Sequence, residues 1–496
     1  MADQVNLFKD ATPTMASWSG WQLQNPYHGA SSERQAMRAW DPSRQSADHD
    51  VITNLETLRN RSRDLVRNVP FASASILTMT TNVVGLGLKA RPKIDPELLG
   101  ITQEEADTFM KKARLGFTLW GKSKDCDAER KHTFPQLQSL ALRTKLQAGD
   151  CFALTPFIYR ATSPWGLTVK LLDGDRCRNP TGVMDGPLLA GGIEVDKFGA
   201  SEAFHFTVAP TSNDDYGVET ARVPAYGKES GRPLVLHLFS TDRPDQRRGV
   251  PYLTPVIEVL KQAGRYQDAE VMSAVVSGMY TVFITTPTGD SDHMGNVDLD
   301  KTVSNDSKDL ELLNGGIMDL AEGEDVKFAD PSRPNPNYEP FVNAIFKEIG
   351  AGLGMPYELI MKHFSSSYTS ARASFLEGWK TFKIERQNMN SDFCQPIYES
   401  WLMESIASGF LKAPGFFEDS WKRMLWSNCD WIGDAPGQLN PLVETQAQKL
   451  QVDEQFKDRD TATMEVNGGE YEDTVKGLVK EKDIREKYGI DEPGEV

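Results

Sequence analysis

The chain has 496 residues, of which 39% are hydrophobic and 25% are charged, and its formal net charge is −17. These fractions are typical of a globular protein with several subdomains and exclude a mainly disordered chain. The acidic balance argues against a protein that grips nucleic acid by its phosphates, because such a protein normally carries a basic patch.

Cysteine usage and hydropathy exclude further classes. The five cysteines are odd in number and scattered, and no CxxC pair occurs, so neither a disulfide framework nor a zinc site is predicted. No run of about eighteen apolar residues is present, and the N-terminus lacks the basic and apolar regions of a signal peptide. We therefore expect no membrane span, no signal peptide and a reducing compartment.

The first 148 residues are predicted to be an arm followed by helices. Residues 1–50 are polar and irregular, which indicates an extended arm. A helix is predicted over 51–68, Pro70 interrupts it, and a second helix follows over 71–84. Further helical patterns occupy 101–148. The arginines of the first helix are expected to form a solvated or ion-paired face; they are Arg59, Arg61, Arg63 and Arg67.

Residues 116–123 read GFTLWGKS, a literal match to a phosphate-binding loop. Such a loop uses small residues between a strand and a helix N-terminus, so that backbone N–H groups surround the phosphates. Here the intervening residues are bulky, and the preceding segment is a predicted helix. A nucleotide-dependent enzyme that uses Gly116–Ser123 is therefore only an alternative hypothesis.

From Gly149 to Ser240 the hydrophobic period changes to two, which predicts a mostly antiparallel sheet and the α+β class. His205 and His237 lie within strands and are expected to be packed or paired, because no partner lies at metal-ligand spacing. No nucleophile with a local base is found, so we expect neither an enzyme nor a cofactor. The predicted strands are Cys151–Tyr159, Leu167–Leu172, Ile193–Val195, Ala203–Val208 and Leu234–Phe239.

Two predicted helices bracket an acidic insert. Thr254 as N-cap and Pro255 at the first helical position open a helix of about 25 residues, ~37 Å long. The insert, residues 281–337, contains twelve acidic and four basic residues and so has a net charge of −8. Short strands are expected in it at Thr281–Ile284, Ile317–Leu320 and Val326–Phe328.

The second bracketing helix is predicted over 338–354, where Gly354, Met355 and Pro356 end it. A hydroxyl-rich loop follows to residue 369. The next helix starts at Ser370 and continues to a kink at Pro396. Seven aromatic residues after it are expected to form a packed core; they are Trp401, Phe410, Phe416, Phe417, Trp421, Trp426 and Trp431.

Several segments resemble the lambda-type family of tailed-phage portal proteins. Those that carry the resemblance are PSRP at 331–334, GAGLGMPYEL at 350–359 and SSYTSAR at 366–372. Further similarities are RSRDLVRN at 61–68, Trp120 followed by Cys126 and Asp127, an Arg-Pro then Gln-x-Arg-Gly segment within 243–249, and Pro441, Glu444 and Ala447. The resemblance extends over roughly residues 51–490 in order.

The resemblance implies a portal fold with an antiparallel-sheet wing, a two-helix stem, a small α/β clip, a long kinked wing helix and a helical crown. On this chain the expected regions are an arm (1–50), the wing (51–250), a first stem helix (251–280), the clip (281–337), a second stem helix (338–354), a channel loop (355–369), a long wing helix (370–400), and the crown with C-terminal helices (401–496). It also implies a ring, usually twelve-fold, at one capsid vertex of the virion.

The family's partners are expected here too: double-stranded DNA in the channel, a separate terminase during packaging, neck or adaptor proteins afterwards, and the major capsid and scaffold proteins during assembly in the host cytoplasm. An acidic wall repels phosphates and keeps DNA mobile, which reconciles the net charge with a channel. A monomeric adaptor or minor capsid protein is a further alternative.

The resemblance also points to candidate site residues. Lys362 offers one salt-sensitive phosphate contact per subunit. The family commonly has an acid where this chain has His363, so the loop is less negative here. The channel-loop candidates are Lys362, His363, Ser365, Ser366, Ser367 and Tyr368, and the stem candidates are Lys261, Arg265 and Lys347.

Overall fold

The computed structural model describes residues 42–208, 219–279, 283–285, 325–327, 336–363, 367–435, 441–467 and 471–488, with single positions at 35, 39, 40 and 469. Within this part of the chain, helices are combined with antiparallel strands, so the predicted mixture of helix and sheet is confirmed. No helix among these residues is long and apolar enough to cross a membrane.

The helices begin at residues that can cap them. Ser46 caps the first helix, which starts four residues before the predicted residue 51, and Pro70 opens the second, as expected for a proline at the first turn. Thr102 and Glu105 form a reciprocal capping box. The helices are α1 Ala47–Asn68, α2 Pro70–Val83, α3 Pro96–Leu99, α4 Gln103–Lys122, α5 Phe134–Ala148, α6 Ile257–Met279, α7 Tyr338–Gly352, α8 Tyr357–Met361, α9 Tyr368–Met389, α10 Gln395–Ala407, α11 Ser420–Ser427, α12 Pro441–Asp453, α13 Arg459–Asn467 and α14 Tyr471–Tyr488.

The strands form small antiparallel sheets. They are β1 Lys89–Pro92, β2 Asp150–Leu154, β3 Lys170–Asp173, β4 Leu189–Ala190, β5 Ile193–Val195, β6 Ser201–Thr207, β7 Thr220–Pro224, β8 Val235–Phe239, β9 Phe283–Thr285, β10 Asp325–Lys327 and β11 Cys429–Ile432. The sheet order is β3-β2-β8 in one sheet and β4-β5-β6-β7 in another. The strand predicted to reach Tyr159 ends at Leu154, because Pro156 has no N–H for the ladder. The prediction missed β1, β4, β7 and β11.

The pairing of β1 with β11 joins two strands that lie more than 330 residues apart in the sequence. Lys89 lies opposite Ile432 in this antiparallel pair, and the Leu86 N–H donates to the Asp434 carboxylate at 2.9 Å. Trp401 is fully buried in the same hydrophobic core as α2, α4 and α5. The expected boundary at residue 401 therefore does not coincide with a boundary in the packing.

The aromatic residues after 400 divide between core and surface. Trp401, Phe416 and Trp426 are buried, as predicted, and Trp431 is partly buried. The remaining three are 45–59% exposed, so the prediction of one packed core is wrong for them; they are Phe410, Phe417 and Trp421. Phe410 and Phe417 lie between α10 and α11, where Phe410 packs against Trp165 and Phe417 against Phe416 while each stays partly exposed. Trp421 lies on α11.

Gly116–Ser123 is not a phosphate-binding loop. Residues 116–122 lie inside α4, and Ser123 is its C-cap, so the backbone N–H groups bond within the helix rather than surrounding an anion. A Cβ built on Gly116 would lie 2.8 Å from Phe410 Cε1 and 2.9 Å from Trp401 Cζ2. The glycine therefore permits two aromatic rings to pack against the helix.

The long helix is interrupted earlier than predicted. It starts at Tyr368 rather than Ser370, and a π-helical turn over Asn390–Cys394 separates α9 from α10. Pro396 then lies in the first turn of α10, where its missing N–H leaves no interior bond unmade. The helical residues thus continue from α9 through the π turn into α10, and the irregularity lies at 390–394, directly before Pro396.

Replacement of Gly116 by Ala tests the packing against α4. We expect the free energy of unfolding to fall, because overpacking a core costs ~1–3 kcal/mol and outweighs the ~1 kcal/mol by which Ala exceeds Gly in a helix. Gly477 in α14 is the matched control, since a Cβ there meets nothing within 4 Å. Gly477→Ala should stabilise α14 by ~0.5–1 kcal/mol. Urea unfolding measures both, and equal shifts of the same sign would contradict the packing.

Candidate functional site

The two helices around the insert form an antiparallel hairpin. Tyr266 of α6 stacks on Tyr338 of α7, with ring centroids 5.9 Å apart, and also contacts Phe341 at 5.0 Å. At the other end, a Cβ built on Gly352 would lie 2.8 Å from Val256 Cγ1. The chain therefore runs towards the insert along α6 and returns from the insert along α7.

The inner end of α6 is anchored in the core, but its start differs from the prediction. Leu253 precedes a 3₁₀ turn over Thr254–Val256, and the α-helix begins at Ile257, so Thr254 is not the N-cap. Thr254 lies inside the 3₁₀ turn, and its buried hydroxyl makes no hydrogen bond with the described residues. The Tyr252 hydroxyl donates to the Leu353 carbonyl, which ties the start of α6 to the end of α7.

The outer part of α6 has a different environment. Since α7 begins opposite Tyr266, residues 267–279 extend about 13 residues, or ~20 Å, past the start of α7. Val271, Met272 and Val275 on this part are 62%, 62% and 48% exposed. The described residues therefore leave an apolar surface on the outer half of the helix.

The loop after α7 contains a helix that the sequence did not predict. Pro356 caps α8, whose Ile360 is buried, so residues 357–361 are helical rather than part of a loop from 355 to 369. Lys362 ends α8 in the left-handed conformation, with φ 53°, and the His363 N–H donates to the Glu358 carbonyl at 3.2 Å. Both Lys362 and His363 are exposed.

The other channel-loop candidates lie in different settings. Ser365 and Ser366 are outside the described residues, as is the side chain of Tyr368, which begins α9. Ser367 is the N-cap of α9, where its hydroxyl accepts a hydrogen bond from the Ser370 N–H at 3.4 Å. Its capping role, which a serine three residues before a helical pattern indicates, was missed in the sequence.

The stem candidates do not converge on one point. Lys261 Nζ lies 3.8 Å from the Asp64 carboxylate of α1, and Lys347 Nζ lies 5.4 Å from the centre of the Tyr357 ring. Arg265 is exposed on α6. Two of the three cations therefore face the body of the same chain.

The insert is described only at its base. β9 and β10 pair antiparallel, with Ile284 opposite Val326. This pairing places the start and end of the insert side by side. The strand predicted at Ile317–Leu320, and every acidic residue of the insert except Asp325, lie outside the described residues.

A buried carboxylate holds the linker that leads into α6. Asp150 at the start of β2 accepts hydrogen bonds from Arg59 Nη2 at 2.5 Å, Arg248 Nε at 2.7 Å and the Gly249 N–H at 2.7 Å. The two arginines bond to Oδ2, whereas the Gly249 N–H bonds to Oδ1, from which His237 Nε2 lies 3.0 Å. Asp150 and Arg248 are 0% and 2% exposed at their side chains. No motif or spacing in the sequence indicates Asp150, whereas the arginines on α1 and in the linker belong to segments that resemble the family.

The two arginines connect this carboxylate to the surrounding loops. Arg59 also pairs with Asp175 and donates to the Ala148 carbonyl at 2.7 Å. Arg248 donates to the carbonyls of Cys177 and Gly174 at 2.9 and 2.8 Å. The prediction that Arg59 belongs to a solvated or ion-paired face is confirmed as ion pairing, in a buried position. The linker is thereby fixed to α1, to β2 and to the turn after β3.

Burial and charge act in opposite directions on the pKa values here. Burial raises the pKa of Asp150, but the Arg248 guanidinium, the His237 hydrogen bond and Arg59 outweigh it and hold this pKa well below its ordinary value. Burial lowers the pKa of His237, whose ring stacks between Phe152 and Phe239. Asp150 is therefore ionised and His237 neutral at pH 7. His205 pairs with Glu194 at 2.6 Å, so both histidines are paired as predicted.

A match to a family model shows to which protein family the chain belongs. Residues 33–386, well over half of the chain and including both hairpin helices and most of α9, match the model described as phage portal protein, lambda family. The chain belongs to the lambda family of phage portal proteins. The resemblance drawn from the short segments is confirmed, and a nucleotide-dependent enzyme is not favoured.

Individual relatives agree with the family. Portal protein B of Escherichia phage lambda is 24% identical over 495 residues, which covers 94% of this chain and 91% of that protein. The portal protein of Escherichia phage N15 is also 24% identical, with 92% and 89% covered. A chain from the neck of an empty gene transfer agent particle has a TM-score of 0.45 and 12% identity, with 87% of this chain and 98% of that chain covered. That likeness is too distant to add to the assignment.

The described residues of this portal protein contain no cluster of three or more His, Cys, Asp or Glu side chains that could hold a metal ion. The Asp150 carboxylate and the guanidinium groups of Arg59 and Arg248 all form hydrogen bonds with protein groups. These contacts are those of a structural ion pair. The arrangement therefore positions α6 rather than presenting a reactive group.

Replacement of Asp150 by Asn tests whether this ion pair anchors the linker. The substitution keeps the shape but removes the charge partner of the buried Arg248 and one of the two carboxylates that pair with Arg59, so we expect a loss of ~3–5 kcal/mol in the free energy of unfolding. Asp173→Asn is the control, because Asp173 pairs with Arg63 at 48% exposure and should cost at most ~1 kcal/mol. Denaturant unfolding compares the two, and similar small losses would show that the buried pair is dispensable.

Proposed function

We propose that copies of this portal protein assemble into a closed ring whose channel passes double-stranded DNA during packaging and ejection, with α6 and α7 as the stem. The observation that carries the proposal is the hairpin itself: two antiparallel helices lead to an insert, and the outer half of one of them exposes Val271, Met272 and Val275. A helix with an uncovered apolar surface needs a neighbour, and a ring supplies the same neighbour to every copy.

The remaining regions take their proposed places around the stem. The β2 and β6 sheets with their helices form the wing, the insert 281–337 forms the clip, and α9 to α10 form the long wing helix. Because residues 401–432 pack into the main core, we move the start of the proposed crown to the residues after 432. The ring stands at the portal vertex of the virion.

The charge of the chain suits a channel that does not hold its DNA. The net charge is −17, and the insert alone contributes −8. Phosphates are repelled by such a surface, so few counterions are exchanged and the polymer keeps sliding. The proposed partners of the clip are the terminase during packaging and neck proteins afterwards, while the capsid and scaffold proteins surround the wing during assembly in the host cytoplasm.

Lys362 and His363 are the proposed contact between the ring and the DNA. They are exposed at the end of α8, immediately before the hydroxyl-rich residues that precede α9. A left-handed residue at a helix end turns the chain sharply, which sets these two side chains apart from the buried Ile360. One lysine per copy steers the duplex without fixing it.

A ring predicts a definite particle mass. The protein should form particles with a central hole of about 660 kDa, twelve times the 55.3 kDa chain, in native mass spectrometry and negative-stain images. Val271→Asp combined with Val275→Asp should shift the mass to monomer, because two charges would be buried between stems at several kcal/mol each.

The matched control is Val183→Asp, at a site 46% exposed and far from the hairpin in sequence. It should leave the rings intact. A monodisperse monomer for the unmodified protein, even when co-expressed with capsid and scaffold proteins, would overturn the proposed function.

Replacement of Lys362 and His363 together by Ala tests the DNA contact. We expect rings of unchanged mass that package DNA ~two- to fivefold less well at low salt, the effect of losing an exposed ion pair of ~0.5–1 kcal/mol, with a smaller defect as salt rises. Lys380→Ala is the control, since Lys380 is 71% exposed on α9 and pairs with Glu377. Loss of the ring in the double variant would mean that the two residues are structural.

A further inference from the structure

A cleft of about 1050 Å³ lies beside the N-terminus of α1. Its walls come from α1, from residues 185–190, from the β5–β6 hairpin turn at 195–199 and from the linker 243–247. Pockets that hold a drug-sized ligand measure ~300–1,000 Å³. The cleft is therefore large enough for several residues of an extended peptide.

The rim of the cleft carries large apolar side chains. Phe198 at the hairpin turn is 83% exposed and Leu188 is 62% exposed, while Val195 beside them is 7% exposed. Single exposed apolar residues are ordinary, but two large ones at the rim of one concave surface are typical of a binding site. Aromatic side chains of a partner would fit these contacts.

One wall of the cleft has a polar group without a partner. Arg247 Nε pairs with Asp48 at 2.9 Å, and Nη2 donates to the Pro187 carbonyl at 2.7 Å. Arg247 Nη1 is buried and makes no hydrogen bond to any described residue. Buried donors are rarely left unpaired, so the hydrogen bonding of this wall is incomplete in the described residues.

The chain before α1 passes along the rim of the cleft. The Gln45 carbonyl accepts a hydrogen bond from Arg243 Nη2 at 3.3 Å, residues 42–45 are exposed, and Trp40 is 68% exposed. Arg243, which lines the cleft, thus holds Gln45 at its rim. The arm therefore begins beside a concave surface of this kind on every copy.

We propose that the arm of each copy, residues 1–41, binds in this cleft on a neighbouring copy, with Trp18 and Trp21 as its anchors. The inference rests on the proposed ring, because only a ring supplies a neighbour at a constant distance. Trp is the residue most enriched among binding anchors. The 20 residues between Trp21 and Pro42 allow a span of up to ~70 Å when extended, which is enough to reach a neighbour. The arms would then interlock the ring.

Photo-crosslinking in mixed rings tests this inference with the full chain. One copy carries benzoylphenylalanine in place of Phe198 and the marker Met15→Leu, and it is co-expressed in equal amount with an unmodified copy. Mass measurement first establishes whether rings form. After irradiation and trypsin digestion, mass spectrometry reads which arm peptide, residues 10–34, is joined to the peptide that contains position 198.

The proportion of crosslinked arm peptides that carry Met15→Leu distinguishes docking on a neighbour from docking within one copy. Docking on a neighbour predicts that about half of the crosslinked arm peptides lack the marker. Crosslinks that all carry the marker would show docking within one copy and would overturn the inference, as would rings without arm crosslinks. A monomer would overturn the proposed function as well, so the two failures are distinguishable.

Two matched variants support the interpretation. The crosslinker in place of Met184, which is 89% exposed and does not line the cleft, should give no arm crosslinks. Trp18→Ala with Trp21→Ala should lower the crosslink yield at position 198 ~tenfold, because truncated aromatic anchors weaken binding by that order. An unchanged yield would exclude the two tryptophans as anchors.

Discussion

The ionised carboxylate of Asp150 connects parts of the molecule that are distant in sequence. It receives Arg59 from α1, Arg248 from the linker and His237 from β8, at side-chain exposures of 8% or less. A charge is retained in such a place only when its partners are near and its remaining lone pairs are used. The linker that leads into α6 can therefore occupy one position relative to the sheet, and the direction of α6 follows from that position.

Local patterns were sufficient to predict the elements around this centre. The period of four in Phe341, Ile345 and Ile349 predicted α7, and a proline at position 70 predicted the break between α1 and α2. The pairing of the histidines followed from their place in strands without metal-ligand neighbours. The family resemblance depended on short segments such as those around Gly354 and Ser367. Glycine turns and helix caps require particular residue types, so such segments can be recognised in a sequence.

Contacts between distant residues could not be predicted in this way. Asp150 lies 91 and 98 residues from its arginine partners, and Asn428 bonds with Lys93 across 335 residues. The periodicity of hydrophobic residues contains no information about pairings between residues so far apart in the sequence. The π turn at Asn390–Cys394 was not predicted for another reason. A proline in a helical pattern indicates that the helix is irregular nearby. The side of Pro396 on which the irregularity occurs depends on the packing of Phe393 and Cys394 in the core.

The two halves of α6 show how folding and assembly are linked in the proposed ring. The inner half buries Leu260 and Ala263, continues from the buried Val256 of the preceding turn, and is anchored through the linker by Arg248. The outer half leaves Val271 and Val275 exposed among the described residues, and a helical segment of this length is marginal in water without packing. Neighbouring copies would supply that packing, so the order of the outer half should depend on protein concentration by mass action. In the proposed ring, such a stem would be rigid at its inner end and would become rigid at the end near the insert only when the ring has closed.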